Sequence, residues 1–334
     1  MSISVSGSQI TFNDASTQNT AATGFGFKNR IINGAMSIWQ RGTSVSGTYA
    51  YGADRWATLP FATATISQSS DVPTAVSQFS LKLQRSAGSS ATTPIGVQQT
   101  IESKNCYDLS GQTITISFWA KAGANFSSSA NSLGVQFITG TAADQGGSSY
   151  TTWTGQATII NATATLTTSW QRFTYTGTVG ANVLEATAIF FFTPTGTAGA
   201  DDSFLITGVQ LEKGSTATSF DYRPYGTELL LCQRYYQVVA NIWANSSCGF
   251  VGTINVNDVA TRINFNPQMR TTPTITTFSE NGTSGRISAN RNAAGYASTQ
   301  LGADFNGVTL LNGSGSNLTG VSNITFSWNA TAEL

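Results

Sequence analysis

Apolar residues through most of the chain alternate with polar ones, the period of two that buries one face of a β-strand. The alternation begins near Asn29, and clusters of glycine and serine separate its runs, as turns separate strands. The clearest runs are Leu81 and Leu83; Ile114, Ile116 and Phe118; Val135 and Phe137; and Phe173 and Tyr175. The pattern therefore predicts a domain built mainly of short antiparallel strands.

One late strand contains a break in this alternation. Phe204 and Ile206 have one parity, whereas Val209 and Leu211 have the opposite parity. A β-bulge adds one residue to a strand, and glycine is a common residue at such a site. We therefore predict a bulge at Thr207-Gly208 that returns all four apolar side chains to one face.

A single segment has helical spacing. Leu231, Tyr235 and Val238 fall on one face of a helix. Thr227 can serve as the N-cap, and Glu228 suits the positive end of the helix dipole. We expect a linking helix over residues 225–245 that packs its apolar face on a β domain or on a neighbouring subunit.

The two ends of the chain differ from each other. Alternation returns after Ser246, in Ile263 and Phe265 and again in Phe326 and Trp328, which predicts a second, smaller β-sandwich domain over residues 246–334. Residues 1–28 are polar and contain one strand-like stretch at residues 8–12. They are interpreted either as a frayed terminus or as an attachment segment.

The composition of the chain excludes several classes of function. Charged residues make up only 10% of the chain, and 16 basic residues balance 16 acidic ones. A chain with no net charge has no field to attract nucleic acid or anionic lipid, so we expect neither nucleic-acid binding nor membrane insertion. A charge-poor surface also favours burial in an oligomer. The chain has no histidine, which excludes histidine-based catalytic triads and histidine metal sites.

The remaining chemistry is sparse. Cys106, Cys232 and Cys248 are odd in number and widely spaced, so we expect buried thiols and neither a zinc site nor a disulfide framework. The first ten residues lack the charged and apolar regions of a signal peptide. Synthesis and assembly in a cytoplasm are therefore expected.

Several ordered motifs resemble a module that recurs in bacteriophage tail-fibre and tail structural proteins. The resemblance covers residues 29–224 and continues into the helix and the C-terminal residues. Its motifs are residues 29–42, 52–56, 98–101, 111–121, 169–173, 209–214 and 222–224, followed by 228–236, 267–274 and 328–334. Their order is similar to that of jelly-roll carbohydrate-binding modules.

This resemblance implies an all-β protein: a jelly-roll β-sandwich, a short helix and a second β-sandwich. It also implies a structural virion protein, a tail-fibre or receptor-binding subunit that contacts host surface glycans and assembles as a homotrimer. Residues 1–28 would attach it to other virion proteins. A purely architectural component, such as a capsid decoration, adaptor or baseplate protein, is the alternative. No enzymatic activity is expected, because no local motif places the two facing carboxylates that a glycosidase needs.

Sugar-binding modules stack pyranose rings on aromatic side chains and hold the hydroxyls with polar groups. The candidates here are Tyr49, Tyr51, Arg55, Trp56, Trp119 and Trp153. Packing in the core or between subunits is the alternative for each of them.

A metal site is not expected. Jelly-roll modules often hold calcium through acidic groups on the first and last strands. Ala35-Met36 and Thr207-Gly208 stand at the corresponding positions here. The adjacent Asp201 and Asp202 are interpreted as a solvated turn, with cation binding as the alternative. We therefore expect no cofactor.

Overall fold

The computed structural model describes most of the chain. The described residues are 4–6, 9–11, 17–18, 27–74, 76–243, 252–255, 258–279, 281–289, 296–312 and 324–334. Within the first 28 residues, β1 (Ser4–Ser6), β2 (Gln9–Thr11) and β3 (Thr17–Gln18) pair in that order as an antiparallel sheet. β2 lies in the strand-like stretch predicted at residues 8–12.

The first large unit consists of two antiparallel sheets with a short helix between two of the strands. Its strands are β4 (Ser44–Gly47), β5 (Ala57–Thr58), β6 (Ala64–Ser69), β7 (Ser80–Gln84), β8 (Ile95–Ile101), β9 (Thr113–Ala122), β10 (Ser132–Gly140), β11 (Ala157–Thr165), β12 (Gln171–Thr178), β13 (Glu185–Phe192) and β14 (Ser203–Lys213). The helix is α1 (Ser103–Cys106), and 3-10 segments span Tyr107–Leu109, Ser129–Asn131 and Gly147–Thr152. One sheet has the order β11-β10-β13-β8-β5 and the other has the order β12-β9-β14-β7-β6-β4.

The inward faces of these two sheets share one apolar core. Phe118 of β9 lies near its centre, with ring centroids 4.7 Å from Phe190 and 5.5 Å from Phe173. The predicted alternating residues of β7, β9 and β10 are fully buried. The β-sandwich prediction is therefore confirmed.

The predicted bulge is also confirmed. The pairing of β14 with β9 shifts register between Thr207 and Gln210. Gly208 has φ +60°, a left-handed conformation that favours glycine. Because the bulge inserts one residue, the apolar residues before and after it are all fully buried.

The helix α2 (Tyr225–Gln233) follows the first unit, and the prediction for this segment was wrong in two respects. Pro224, not Thr227, occupies the N-cap position, and its carbonyl accepts a hydrogen bond from the N–H of Glu228 at 3.0 Å. The helix also ends earlier than residue 245, because the strand β15 (Tyr236–Trp243) begins three residues later. The buried Cys232 at the end of α2, and Tyr235 just beyond it, pack with Ile32 and Ile38 of the first unit.

The second unit is smaller and is built around one connected sheet. Its remaining strands are β16 (Gly252–Asn255), β17 (Asp258–Asn264), β18 (Thr274–Phe278), β19 (Arg286–Ala289), β20 (Tyr296–Ala303), β21 (Gly307–Asn312) and β22 (Ile324–Thr331). The first half of β19 pairs with β20 and the second half pairs with β22. This crossover lets two parts of the sheet face each other, and Phe265 packs against Trp328 with ring centroids 5.8 Å apart. The unit is thus sandwich-like.

Two further observations concern the described residues only. Cys106 and Cys232 are buried free thiols, whereas Cys248 lies outside the described residues. None of the described helices is long and apolar enough to cross a membrane.

Candidate functional site

The structure brings Tyr49, Tyr51 and Arg55 together, at the contact between the first unit and the C-terminal residues. The hydroxyls of both tyrosines donate to the carbonyl oxygen of Leu334, and the Tyr51 bond measures 2.9 Å. Arg55 forms an ion pair with Glu333 in which the guanidinium is 1% exposed and the carboxylate 8%. We call this contact the junction. Its residues are Arg41, Tyr49, Tyr51 and Arg55 of the first unit and Tyr235, Tyr236, Glu333 and Leu334, together with the nearby pairs Asp144–Arg270 and Glu102–Arg234.

Cation–π contacts reinforce the junction. The Arg55 guanidinium lies 3.6 Å from the ring centroid of Tyr235, and that of Arg41 lies 3.6 Å from the ring centroid of Tyr236. Arg41 also reaches the carboxylate of Glu333 at 3.0 Å. Burial raises the pKa of Tyr235 to about 12, so its ring stays uncharged next to the guanidinium.

More polar contacts join the units nearby. Arg270 of the second unit pairs with Asp144 of the first at 3.0 Å and donates to the carbonyl of Ala332 at 2.9 Å. Arg234, just after α2, pairs with the buried Glu102 at 2.8 Å. Charged and polar side chains therefore connect the two units at several points.

Trp56 lies beneath the junction and is fully buried. Its Nε1 donates to the carbonyl of Asn33 at 3.1 Å. The Asn33 side chain in turn donates to the carbonyls of Ile38 and Asp54 and accepts from the N–H of Ile38. Asn33 therefore fixes the loop at residues 33–38 against the Asp54-Arg55-Trp56 turn.

These positions give the resemblance motifs a physical role. The motifs at residues 29–42, 52–56, 228–236, 267–274 and 328–334 all contribute residues to the junction or to the network below it. Sugar binding by Tyr49, Tyr51, Arg55 and Trp56 stays a prediction. The burial of Arg55 and Trp56 corresponds to the packing alternative.

The other two candidates lie elsewhere on the first unit. Trp119 is half-buried on the outer face of the six-stranded sheet, opposite Arg172 and Thr207 in the strand register. Trp153 is buried at the outer face of the five-stranded sheet, and its Nε1 donates to the carbonyl of Gly146 at 3.1 Å. The sequence candidates are thus divided among three places.

A groove of about 310 Å³ lies on that outer face of the five-stranded sheet. Leu59 and Ile138 are buried in its floor, and Tyr150, Trp153 and Ile189 pack with them. The lining residues are Leu59, Phe61, Pro94, Gln136, Ile138, Tyr150, Thr151, Gln156, Thr158 and Phe191. The lining combines aromatic rings with amide and hydroxyl groups, the mixture that sugar recognition requires.

Phe191 provides a platform in this groove. Its neighbours in the strand register are Gly134 on β10 and Gly96 on β8. A Cβ on Gly134 would stand 2.5 Å from Cε1 of Phe191, and a Cβ on Gly96 would stand 2.6 Å from its Cβ. The ring therefore lies over backbone that carries no side chains, and it stays half-exposed. An open aromatic face of this kind is suited to stacking on a pyranose ring.

Phe61 and Tyr150 form the rim of the groove. Phe61 is 46% exposed, and its ring packs edge-on against Tyr150 with centroids 6.0 Å apart. Burial raises the pKa of Tyr150 to about 12, so the phenol remains a neutral hydrogen-bonding group. Gln136 donates to the side-chain oxygen of Asn161 at 3.1 Å, and the exposed Gln156 lies on the same side.

Phe61, Tyr150 and Phe191 are not among the residues predicted from the sequence. Phe191 stands in the run Phe190-Phe191-Phe192, where continuous apolar character hides the alternation. Phe190 and Phe192 point inward and are buried, which leaves Phe191 on the outer face. Glycines at matching positions of two strands were the available signal, but they can be matched only once the strand order is known.

The acidic pair at the start of β14 differs from the expected solvated turn. Asp202 is fully buried, and it pairs with Arg85 at 3.1 Å and accepts from the Ser127 hydroxyl at 2.7 Å. Asp201 is half-buried and pairs with Lys82 at 2.8 Å. Within the described ranges, no group of three or more acidic or cysteine side chains is placed to hold a metal ion.

Comparisons with known proteins give structural likeness only. No protein-family model matches the chain, and no curated protein matches it. A carbohydrate-binding module of the CBM4 type is similar to this chain, with 19% identity and a TM-score of 0.34; the match covers 55% of this chain and 98% of the module. The CBM22-1 xylan-binding domain of Paenibacillus barcinonensis Xyn10C is similar to 58% of this chain over 100% of its own, with 10% identity and a TM-score of 0.33.

A phage protein is also among the similar structures. The enzymatically active domain of bacteriophage CBA120 tailspike protein 4 is similar to 56% of this chain, with 14% identity and a TM-score of 0.33. The match spans 21% of that tailspike chain. All three TM-scores are low, so the fold is assigned here from the strands and sheets themselves.

Proposed function

We propose that this chain is a non-enzymatic structural protein of a bacteriophage particle, a tail-fibre or receptor-binding subunit that contacts a host surface glycan. The observation that carries the glycan contact is the Phe191 platform between Gly134 and Gly96. A pyranose ring would stack on this face, while Gln136, Gln156 and Thr158 would bond its hydroxyls.

The lining of the groove favours binding over hydrolysis. A glycosidase needs two carboxylates about 5–10 Å apart on either side of the scissile bond. Every polar side chain that lines the groove is an amide, a hydroxyl or a phenol. These groups hold a sugar without protonating its leaving group, so the proposed role is attachment.

The assembly is part of the same proposal. The virion role rests on the motif order at residues 29–334, and the segment 1–28 would attach the subunit to other virion proteins after synthesis in the host cytoplasm. The charge-poor composition favours extensive burial between subunits, as in a homotrimer. Mass measurement of the purified chain in solution tests this directly, and a monomer at micromolar concentration would contradict the trimer.

A glycan array tests the groove. Wild-type protein should bind at least one class of bacterial surface glycan, and Gly134→Ala should weaken that binding because the added Cβ displaces the Phe191 ring. Gly302→Ala is the matched control, since a Cβ at Gly302 meets no atom within 4 Å. Stacking on an aromatic ring contributes about 1 kcal/mol, so loss of the platform should weaken binding about fivefold or more.

Two results would count against the groove. One is glycan binding that Gly134→Ala leaves unchanged, and the other is the absence of binding to any surface glycan of the bacterium on which the phage grows. Circular dichroism of both variants shows whether the sandwich is intact.

The junction favours a second candidate function, an architectural component of the particle. Its buried ion pair and cation–π contacts are suited to transmitting load between two rigid units. Electron microscopy of virions that carry a labelled chain separates the candidates. Label at the fibre tips favours attachment, whereas label on the head or tail core favours the architectural role.

A further inference from the structure

A second pocket lies on the opposite face of the first unit, on the outside of the six-stranded sheet. It has a volume of about 290 Å³. Lys82 and Lys121 line it together with Asp71 and Asp201, and Leu205 lies between the two lysines. The proposed groove lies on the other sheet, so the two sites face away from each other.

The strand register places the lysines in one row. Lys82 on β7 pairs with Leu205 on β14, which pairs in turn with Lys121 on β9. Neighbouring strands are about 4.8 Å apart, so the two lysines lie about 10 Å apart across the sheet. Trp170 precedes β12 beside Lys121, with the ring centroid 6.0 Å from the ammonium nitrogen.

Each ammonium is held by one carboxylate. Lys121 pairs with Asp71 at 2.6 Å, and Lys82 pairs with Asp201 at 2.8 Å. Trp170 Nε1 also donates to Asp71 at 2.8 Å, while the N–H of Ala124 donates to Asp201 at 2.8 Å. These bonds fix the carboxylates, so the positions of the lysines are defined as well.

The pocket retains hydrogen-bonding capacity. An ammonium carries three N–H donors, and among the described residues one carboxylate accepts from each lysine. The side chains remain open to solvent, with 26% exposure for Lys82 and 48% for Asp71. Two ammonium groups and two carboxylates therefore lie together on a shallow surface, and the Trp170 ring lies beside one of the lysines.

We propose that this pocket is a second glycan-binding site, selective for an uncharged pyranose. A sugar hydroxyl both donates and accepts, so each lysine–aspartate pair can bind one hydroxyl or a vicinal pair. The charges of the four groups cancel, which gives an acidic sugar no net electrostatic advantage. The proposal shares with the proposed function only the class of ligand, because no residue of the groove takes part.

A second site on the opposite face would change how the protein holds a surface. Because the two sites face away from each other, avidity exceeds the affinity of either site only where glycan chains reach both faces of the sandwich.

Saturation-transfer NMR on the full chain tests the proposal. The probe is a mixture of glucose, galactose, mannose and N-acetylglucosamine, with glucuronate as a separate sample. At least one neutral sugar should give a signal that persists in Phe191→Ala. The double variant Phe191→Ala/Lys82→Gln should bind that sugar about tenfold more weakly than Phe191→Ala, which is the effect of losing one charge-assisted hydrogen bond. Lys104→Gln is the control, as Lys104 lies outside both sites.

Each other outcome overturns the second site. These are the loss of all signal in Phe191→Ala, equal binding by Phe191→Ala and by Phe191→Ala/Lys82→Gln, or no signal from any neutral sugar. Stronger binding of glucuronate that disappears at high salt overturns the assignment to uncharged sugars. Failure of the groove alone is distinguishable, because Phe191→Ala would then have no effect while Lys82→Gln would still weaken binding.

Discussion

Arg55 and Glu333 are far apart in the sequence and form a buried ion pair in the structure. Removing one partner of such a pair leaves an uncompensated buried charge, which costs about 3–5 kcal/mol. We therefore expect Glu333→Ala to lower the free energy of unfolding by about that amount at neutral pH. Urea denaturation followed by tryptophan fluorescence measures it.

A surface pair provides the control for this prediction. Lys213 and Asp108 are 39% and 27% exposed, and exposed pairs contribute less than about 1 kcal/mol. Lys213→Ala should therefore change stability by less than about 1 kcal/mol. Equal losses in the two variants would show that Glu333 is not buried at the junction in solution.

Glu185 predicts a pH dependence of stability. Its carboxyl is fully buried, and burial raises its pKa from the ordinary 4.5 to about 8. A carboxyl whose pKa is raised by folding stays protonated in the folded protein, so the contribution of Glu185 to stability is complete below pH 4.5 and is lost as the pH rises through about 8. Each pKa unit corresponds to about 1.4 kcal/mol.

The variant Glu185→Gln removes this titration. Its amide oxygen can still accept the N–H of Gln145, which bonds Glu185 at 2.6 Å. We expect the variant to match the wild type at pH 4 and to melt at a higher temperature at pH 8.5. A wild-type melting temperature that falls no faster than that of the variant between these pH values would contradict the prediction.

The contacts of individual side chains were the feature that the sequence predicted least well. Tyr49, Tyr51 and Arg55 are correctly grouped, but their partners are Glu333 and Leu334. The alternation period and the residue types identify a side chain that can contact sugar, but the same side chain can also pack in a core. They do not specify what covers it, because that depends on contacts hundreds of residues apart.

Among the elements, the bulge in β14 makes the sharpest prediction. Gly208 has φ +60°, and a Cβ there would lie 2.9 Å from Val76 and 3.1 Å from the Trp119 ring. A left-handed conformation costs a residue with a Cβ about 1–2 kcal/mol, and the close contacts add to it. Gly208→Ala should therefore destabilise the protein by more than that conformational term.

Gly196 is the matched control for the bulge. It has the same φ of +60°, and a Cβ there meets no atom within 4 Å. Gly196→Ala thus measures the conformational cost alone, and thermal melts of both variants give the difference. If Gly208→Ala were no worse than Gly196→Ala, the packing of the bulge against Trp119 would be disproved.

Elements with a strong local signal were predicted well. The parity change between Ile206 and Val209 indicates a bulge, because without an extra residue there Val209 and Leu211 would turn to the opposite face from Phe204 and Ile206. The end of α2 was misplaced, since Tyr235 and Val238 continue the helical spacing although the chain turns into β15 at Tyr236. There the junction overrides the local pattern.

At the scale of the whole molecule, the junction should make the two units unfold together. Arg270–Asp144 and Arg55–Glu333 both connect them. We expect one calorimetric transition for the wild type. The double variant Arg270→Ala/Glu333→Gln should show two, because each unit has its own apolar core. Two transitions in the wild type would show that the units are independent.

The order of two β units around a short helix follows from the sequence, because alternation, turns and helical spacing are local properties. The choice of the face that meets a ligand does not. The Phe191 platform and the lysine row both arise from strand neighbours that are distant in the chain. Such neighbours are known only from the sheet order.

The proposed role as a phage attachment subunit is tested most directly by binding of the fluorescently labelled protein to cells of the host bacterium that this role implies. We predict that the wild type binds saturably and slows phage adsorption, and that Gly134→Ala does both less well than Gly302→Ala. Absence of binding by the wild type, or equal binding and equal inhibition by the two variants, would contradict the account.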